Sequence, residues 1–446
     1  MLGVKGYAEG SMMSCLQGAS ARESEPRPLE GKRLLVIGAS HNEIDLVRRA
    51  QELGAYVVVT DNHEDWDDAP AKREADEAWN ISWSDIDAMQ AACETSRIDG
   101  ATAGYSEFRC ENLIKLCDRM GWPCYLTSEQ LEITRDKVKF KETCRKYGVP
   151  TVEEWHSVNE VDSFPVIVKP VDRGGSIGIS IATNSEELRA AYQYAMSMSV
   201  SKQVIIERFL QGQKMDVYYA IEDGEIRILT TNDAINASDN GFERVVQSAW
   251  LYPEKHMHAL VEKEDEHMRA MIRGMGITNG CIFFSGFVGP AEEFSFFECG
   301  FRLEGGHQDE YVSHRGPYNF LDLFIYHALF GNVRLVERKE VDDRLKCVTV
   351  NFYAKAGTIG SISGMERVAE LPDCTLARAF GRIGQECKDD RAILSKVAMA
   401  SFANEDPTAL KADIDECYRL FALRDTNGRD MVYDRIDTDA ILDWWS

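Results

Sequence analysis

The chain has 446 residues, 44% of them apolar, and sets 50 basic against 74 acidic side chains for a net charge of -24. Its length gives a prior of about three domains with ample material for cores, and its acidity disfavours nucleic acid or an anionic membrane as partner. No apolar run approaches the roughly 18 to 20 residues of a membrane span; the longest, such as LFIYHALF at 323–330, are core-sized. The twelve cysteines form no C-x-x-C pair or zinc-like spacing, which reads as a cytoplasmic enzyme without a disulfide framework.

Residues 1–30 hold Pro26 and Pro28 among small, polar and charged residues, with no apolar core of signal-peptide length, and are expected to be a disordered leader. From Lys32, RLLVIGAS predicts a buried strand, followed by a helix from Asn42 to Leu53, a Gly54 stop and a second strand, AYVVVTD. A further alternation through DGATAGYSEF and ENLIKLCDRMGW makes residues 31–126 a small parallel-sheet domain of α/β class. The GAS turn lacks the G-x-G-x-x-G of a dinucleotide fold, and Asp61 after the second strand is weak support for one.

At Thr127 the pattern changes to one long helix, SEQLEITRDKVKFKETCRKYG, stopped by Gly148 and Pro150. Residues 166–180, VIVKPVDRGGSIGIS, then run an apolar strand through Lys169 into Gly174, Gly175, Ser176 and Gly178. Glycines let backbone NH groups approach anionic oxygens, and a lysine adds a point charge, so this order suits a phosphate chain. The lysine precedes the glycines, which excludes a P-loop. Ser176 to Ile181 is instead expected to continue as the second strand of a hairpin lid, against the plainer reading of a glycine-rich turn. A helix at 185–198, strands to about 231, a loop at NDAINASDNGFE, one helix over 258–275 and a hairpin of NGCIFFSGFVG with FSFFECGFRLEGG follow. A helix over 319–331 precedes a terminal lobe of short strands and helices at 345–446.

Five features stand in a telling order: Asp136-Lys137, the Lys169 strand with its glycine loop, Glu207-Arg208-Phe209-Leu210, Pro253 before a helix, and Glu298 with Arg302 before Gly305-Gly306. Together they resemble the ATP-grasp superfamily, over about residues 32–440. The resemblance implies a two-lobed α+β ATP-grasp domain at 127–340, with a lid lobe at about 150–208 and the nucleotide between the lobes. A C-terminal lobe at 341–446 completes the fold, and GTIGSISGMERVAELPDC at 357–374 is similar to that of the L-amino-acid ligase and purine-type branches. The expected cofactors are ATP and Mg²⁺, and the expected reaction is ligation of a carboxylate to an amine or other nucleophile through an acyl phosphate. A bicarbonate-using carboxylase and a catalytically degenerate ATP-binding protein are the alternatives. A homodimer is an expectation borrowed from the same resemblance.

Residue by residue, the resemblance puts Lys137 and Lys169 on the phosphates, Gly174, Gly175, Ser176 and Gly178 on the mobile loop, and Glu207 on the adenine amino group. Arg208, Phe209 and Leu210 would present backbone to the adenine edge, Glu298 would bind Mg²⁺, and Arg302 would steady the transferred group. Read from the residues alone, Lys137 is a solvated helix lysine in a run with Lys139 and Lys141, and the alternative for Glu298 with Arg302 is a buried ion pair. Three positions depart from the pattern. Lys214 stands where an acidic ribose contact is usual, which passes that role to a neighbour such as Asp216; Ser285 takes the place of an acidic metal ligand; and Gly300 replaces an asparagine. Asp309 and Glu310 are candidate replacement ligands or a solvated loop. His307, His314 and Arg315 are candidates for the substrate pocket or ordinary loop residues. DTNGRD at 425–430 has Asp430 where an EF-hand needs glycine, and is read as a turn.

Overall fold

A computed structural model describes residues 27–173, 177–210, 212–239, 242–388 and 395–445. Its first sheet is built from short apolar runs that need cover on both faces: β1 (Arg33–Ile37), β2 (Tyr56–Thr60), β3 (Glu77–Trp79) and β4 (Gly100–Thr102), all parallel, in the order β3-β2-β1-β4. The helices α1 (Glu43–Glu52) and α2 (Ile86–Ser96) connect β1 to β2 and β3 to β4, and α3 (Glu107–Met120) follows β4. Residues 27–30, assigned above to the leader, include Leu29, which is fully buried and donates its NH to Leu53 O.

The long helix expected at 128–147 is two: α4 (Ser128–Arg135) and α5 (Lys137–Tyr147). Asp136 separates them by adopting extended backbone and capping α5, its carboxylate accepting from the NH groups of Val138 and Lys139. A second sheet of order β5-β8-β6-β7 contains β5 (Glu154–Trp155), β6 (Val166–Pro170), β7 (Ser180–Ala182) and β8 (Val204–Arg208), with α6 (Ser185–Met198) packed on one face. Trp155, Val166, Val168, Leu188, Ala195 and Ile206 give this unit a core of its own. The expected hairpin is present as β6 paired antiparallel with β7, but its second strand starts at Ser180 rather than 176.

The central eight-stranded sheet has the order β13-β12-β9-β10-β11-β14-β18-β16. Its strands include β9 (Gln213–Glu222), β10 (Glu225–Asp239) and β11 (Phe242–Tyr252). The loop expected over NDAINASDNGFE is therefore mostly strand: Asn232 and Ala234 pair with Asp216 and Lys214 of β9, and ladder pairing overrides the weak strand propensity of asparagine and aspartate. The helix expected at 258–275 is α7 (Met257–Lys263) and α8 (Asp265–Gly274), interrupted at Glu264. The expected hairpin is β12 (Gly280–Val288) with β13 (Phe294–Gly300).

After α9 (Gln308–Arg315) and α10 (Leu321–Phe330), β14 (Lys346–Tyr353) joins the central sheet. The remaining elements are β15 (Gly357–Ser363), α11 (Met365–Val368), β16 (Cys374–Ala379), β17 (Glu386–Cys387), β18 (Lys396–Asn404), α12 (Pro407–Leu420) and β19 (Ala422–Asp425). The central sheet thus takes β16 and β18 from the last hundred residues, while β17-β15-β19 form a small separate sheet. One apolar core runs from the first sheet through α3 and α5 to β9, β12 and β13, so these elements hold one another in place. The cysteines among the described residues are free thiols, and no described helix is long and apolar enough to cross a membrane.

Candidate active site

Alternation along β9 sends Met215, Val217 and Tyr219 to one face and Lys214, Asp216 and Tyr218 to the other, where Tyr218 is itself packed into the core. Strand register then aligns a polar row across the sheet: Asn232 of β10 opposite Asp216, Asp216 opposite Ser285 of β12, and Ser285 opposite Glu298 of β13. Ser285 Oγ donates to Asp216 Oδ1 at 2.5 Å, with both side chains buried. Burial pushes the Asp216 carboxyl up, against the opposing pull of Lys214 and the Ser285 hydrogen bond. Ser285 therefore does not leave its place on the sheet without a carboxylate, since Asp216 stands directly beside it.

Lys137 opens α5 and is buried, although its neighbour Lys139 is exposed. Its ammonium donates to Arg173 O at 2.8 Å, beside the glycine loop, and lies 4.0 Å from Glu298 Oε2. One lysine therefore joins the loop end and the sheet end of the site. Glu298 keeps its side chain 40% exposed, a carboxylate available to a hard cation. No group of three or more His, Cys, Asp or Glu side chains arranged to hold a metal occurs among the described residues.

Lys169, on β6, is buried and ion-paired with Glu207 of β8; its ammonium also lies 4.9 Å from the Phe297 ring centroid. Lys141, read in sequence as part of a solvated run, is fully buried, with its ammonium 2.6 Å from Glu207 Oε1 and 3.2 Å from Glu154 Oε2. Burial pushes the Glu207 carboxyl up, but Lys169 and Lys141 together outweigh it and hold the group below its ordinary value. The signal for Lys141 was its spacing: it follows Lys137 by four residues and shares its helix face.

Arg208 is exposed and pairs with Glu153, while Phe209 donates its NH to Pro165 O at 3.1 Å and Leu210 follows half-buried. Gly178 has φ 78°, and a Cβ there would come within 2.7 Å of Pro170 and 2.9 Å of Met198, so glycine is required. Gly174, Gly175 and Ser176 lie outside the described residues.

Arg302 and Glu298 do not form the buried ion pair that was the plain alternative. The Arg302 guanidinium is bound instead by Glu107, at 2.7 Å from Nε and 2.6 Å from Nη2, and it lies 5.4 Å from the Phe283 ring centroid. A Cβ on Gly300 would run into that same Phe283 ring, so the glycine replacing the usual asparagine is tied to the aromatic neighbour beneath it. Sequence reading missed Glu304, which accepts from Tyr218 OH at 2.5 Å and is pushed up to about 7 by burial and then by Asp216. Glu304 adds its charge to that of Glu107 beside Arg302.

The other candidates are dispersed. His314 is exposed and contacts Glu310 O, and Arg315 pairs with Asp343 on the outer face. His307, Asp309 and Glu310 gather around Asp45 of α1. In 425–430, Asp425 accepts from the NH groups of Asn427 and Arg429 around Gly428, a turn as read.

The family described as D-ala D-ala ligase C-terminus matches residues 137–263. A formate-dependent phosphoribosylglycinamide formyltransferase of Trichormus variabilis is 29% identical over 190 residues, 40% of this chain and 48% of that enzyme. A D-alanine–D-alanine ligase of Fusobacterium nucleatum is 32% identical over 98 residues, 21% of this chain and 34% of the ligase. The matched segments thus cover about half, or less, of these curated relatives. Among solved structures, an L-amino acid ligase from Bacillus licheniformis superposes with a TM-score of 0.71 at 16% identity, covering 89% of this chain and 99% of that one. The biotin carboxylase domain of the Hydrogenobacter thermophilus 2-oxoglutarate carboxylase, in complex with MgADP and bicarbonate, gives 0.69 at 17% identity, covering 88% and 90%. At such identities these two show a shared fold. Taken with the sequence matches, they place the chain in the ATP-grasp carboxylate-amine ligase superfamily.

Proposed function

We infer that the protein is an ATP-dependent, ADP-forming ligase that activates a carboxylate as an acyl phosphate and joins it to an amine, forming a carbon-nitrogen bond. The observation that carries this reading is the position of Lys137, whose ammonium reaches both the loop carbonyl of Arg173 and the Glu298 carboxylate. A triphosphate placed along that line would meet the Lys137 ammonium and, at Glu298, the cation that this carboxylate would hold.

The donor set fits a magnesium nucleotide. Glu298 is partly exposed and would hold the ion, and one or two carboxylates with phosphate oxygens suffice for Mg²⁺. When bound, the ion supplies charge neutralisation at the phosphates being parted. Lys137 and Lys169 add two ammonium groups in a poorly solvated setting, where their attraction for phosphate is strengthened. Glu207 and Lys141 fix Lys169 in place, and Leu210, which follows the already bonded NH groups of Arg208 and Phe209, would offer backbone to the base. Arg302, oriented by Glu107, would offset charge on the phosphoryl or acyl group. Positioning and electrostatics are the protein's contribution, and the substrate carboxylate is the nucleophile toward the γ-phosphate.

Hydroxylamine tests the intermediate directly, because it converts an acyl phosphate to a hydroxamate. Incubation with Mg-ATP, hydroxylamine and pooled small carboxylates and amino acids is expected to yield a hydroxamate in amounts matching the ADP formed. Hydroxamate absent while ADP accumulates would refute acyl-phosphate chemistry.

A further inference from the structure

Lys396, which opens β18, is a cation that the phosphate site does not use. Its side chain is half-buried, with the ammonium 5.3 Å from the Trp250 ring centroid and 5.6 Å from that of Phe380. Among the described residues no carboxylate lies within 4.0 Å of it and no group accepts a hydrogen bond from it. The two rings attract the charge but offer no oxygen to its three N–H donors. Lys141 and Lys169 show the usual arrangement, since each is tied to Glu207, as a lysine withdrawn from water ordinarily is tied to an acid.

The surroundings of Lys396 select an anion. Burial pushes its ammonium down to about 8, Glu304 pulling it back up and Arg378 adding to the fall, so it is charged at neutral pH. Glu304 is a poor counter-ion, because Tyr218 OH already donates to it at 2.5 Å, and burial followed by Asp216 pushes it up to about 7. Arg302, Lys214 and Lys396 all bear on this one carboxyl, and none of them is within ion-pair distance of it. Arg378 is already held by Asp45 and by His41 O. Tyr252, two residues beyond Trp250 and hence on the same face of β11, adds a buried hydroxyl with no partner. Arg302 and Lys396 reach Glu304 from different parts of the central sheet: Arg302 stands just past β13 and Lys396 at the start of β18, with five strands between. A carboxylate bound at Arg302 is not placed to serve Lys396 as well.

We propose that Lys396 holds a second anionic group of the substrate, a carboxylate or phosphate distinct from the carboxylate activated beside Arg302. The substrate is then an acid with anionic groups at two ends, one met at the edge of the sheet and the other by a lysine that the C-terminal lobe supplies, with Trp250 and Phe380 walling that contact. This rests on the ligase reading above and deepens it by naming the class of acid.

The test is calorimetric titration of the full chain, loaded with MgADP, with succinate, glutarate and adipate, each against its monoamide, and with phosphonopropionate against succinamate. A monoamide keeps the length and shape of its diacid and removes one charge. The expected result is at least tenfold tighter binding of a diacid than of its monoamide, or of the phosphonate than of succinamate, and which of the two shows it identifies the anionic group. The preference is expected to be lost in Lys396→Met, while affinities for the monoamides and for MgADP stay within twofold. Equal affinities within every pair for the wild type, or a preference that survives in Lys396→Met, would overturn the proposal. If the variant fails to fold, the wild-type comparison still decides. Binding is read without turnover, so failure of this subsite and failure of the hydroxylamine test are separate outcomes.

Discussion

Lys141 lies 2.6 Å from Glu207 Oε1 with both side chains essentially out of solvent, and Lys169 takes the other oxygen of the same carboxylate. The pairing ties α5 to β8 and fixes the lysine that would meet the nucleotide. Removing one partner of a buried ion pair costs about 3–5 kcal/mol when the other is stranded, and less where a second cation remains. Lys141→Met is therefore expected to lower stability by about 2 kcal/mol and ATP affinity only a few-fold. Lys169→Met should abolish measurable ATP binding. Urea unfolding and nucleotide titration of the two variants check this, and equal losses of affinity would contradict the division of roles.

Gly300 and Phe283 are expected to be coupled. Gly300→Asn, which restores the superfamily's usual residue, would press on the Phe283 ring and destabilise by about 1–3 kcal/mol, as overpacking does. Phe283→Ala in the same chain should recover part of that loss. A double-mutant cycle of thermal stabilities measures it, and strict additivity would show that the ring does not constrain position 300.

Glu254 is buried, has an unpartnered Oε1, and is pushed up to about 8 by burial and then by Asp233. Its pKa is raised in the folded state, so the native protein binds the extra proton between its unfolded value near 4.5 and about 8. Stability from this group is full below that window and falls as pH rises through it. Glu254→Gln is expected to raise the melting temperature more at pH 8 than at pH 5. An equal gain at both pH values would refute the assignment.

Much of the fold was legible because its signals are local. The apolar runs of β1 and β2, the Gly54 and Gly148 stops, and the β12–β13 hairpin announce themselves within a few residues. The failures have physical causes. Asp136 looks like one more polar residue on a helix until its cap geometry is seen, and the asparagine-rich run at 232–239 becomes strand only because β9 lies beside it. In the site, Lys137, Lys169 and Glu298 could be named from motif order. Glu107, 195 positions from Arg302, and the gathering of Asp45, Tyr105 and His307 depend on tertiary packing and leave no pattern along the chain.

The most direct test of the central claim is ADP and phosphate release from Mg-ATP with a pooled panel of amino acids and small carboxylates, comparing the wild type with Glu298→Ala. The account predicts substrate-dependent release, with a coupled product detected by mass, that falls by at least a hundredfold in the variant. ATP binding by the wild type without release from any pool, or release unchanged by Glu298→Ala, would contradict it. The first of these would mark Ser285, Gly300 and Lys214 as changes that leave a nucleotide-binding protein without ligase chemistry.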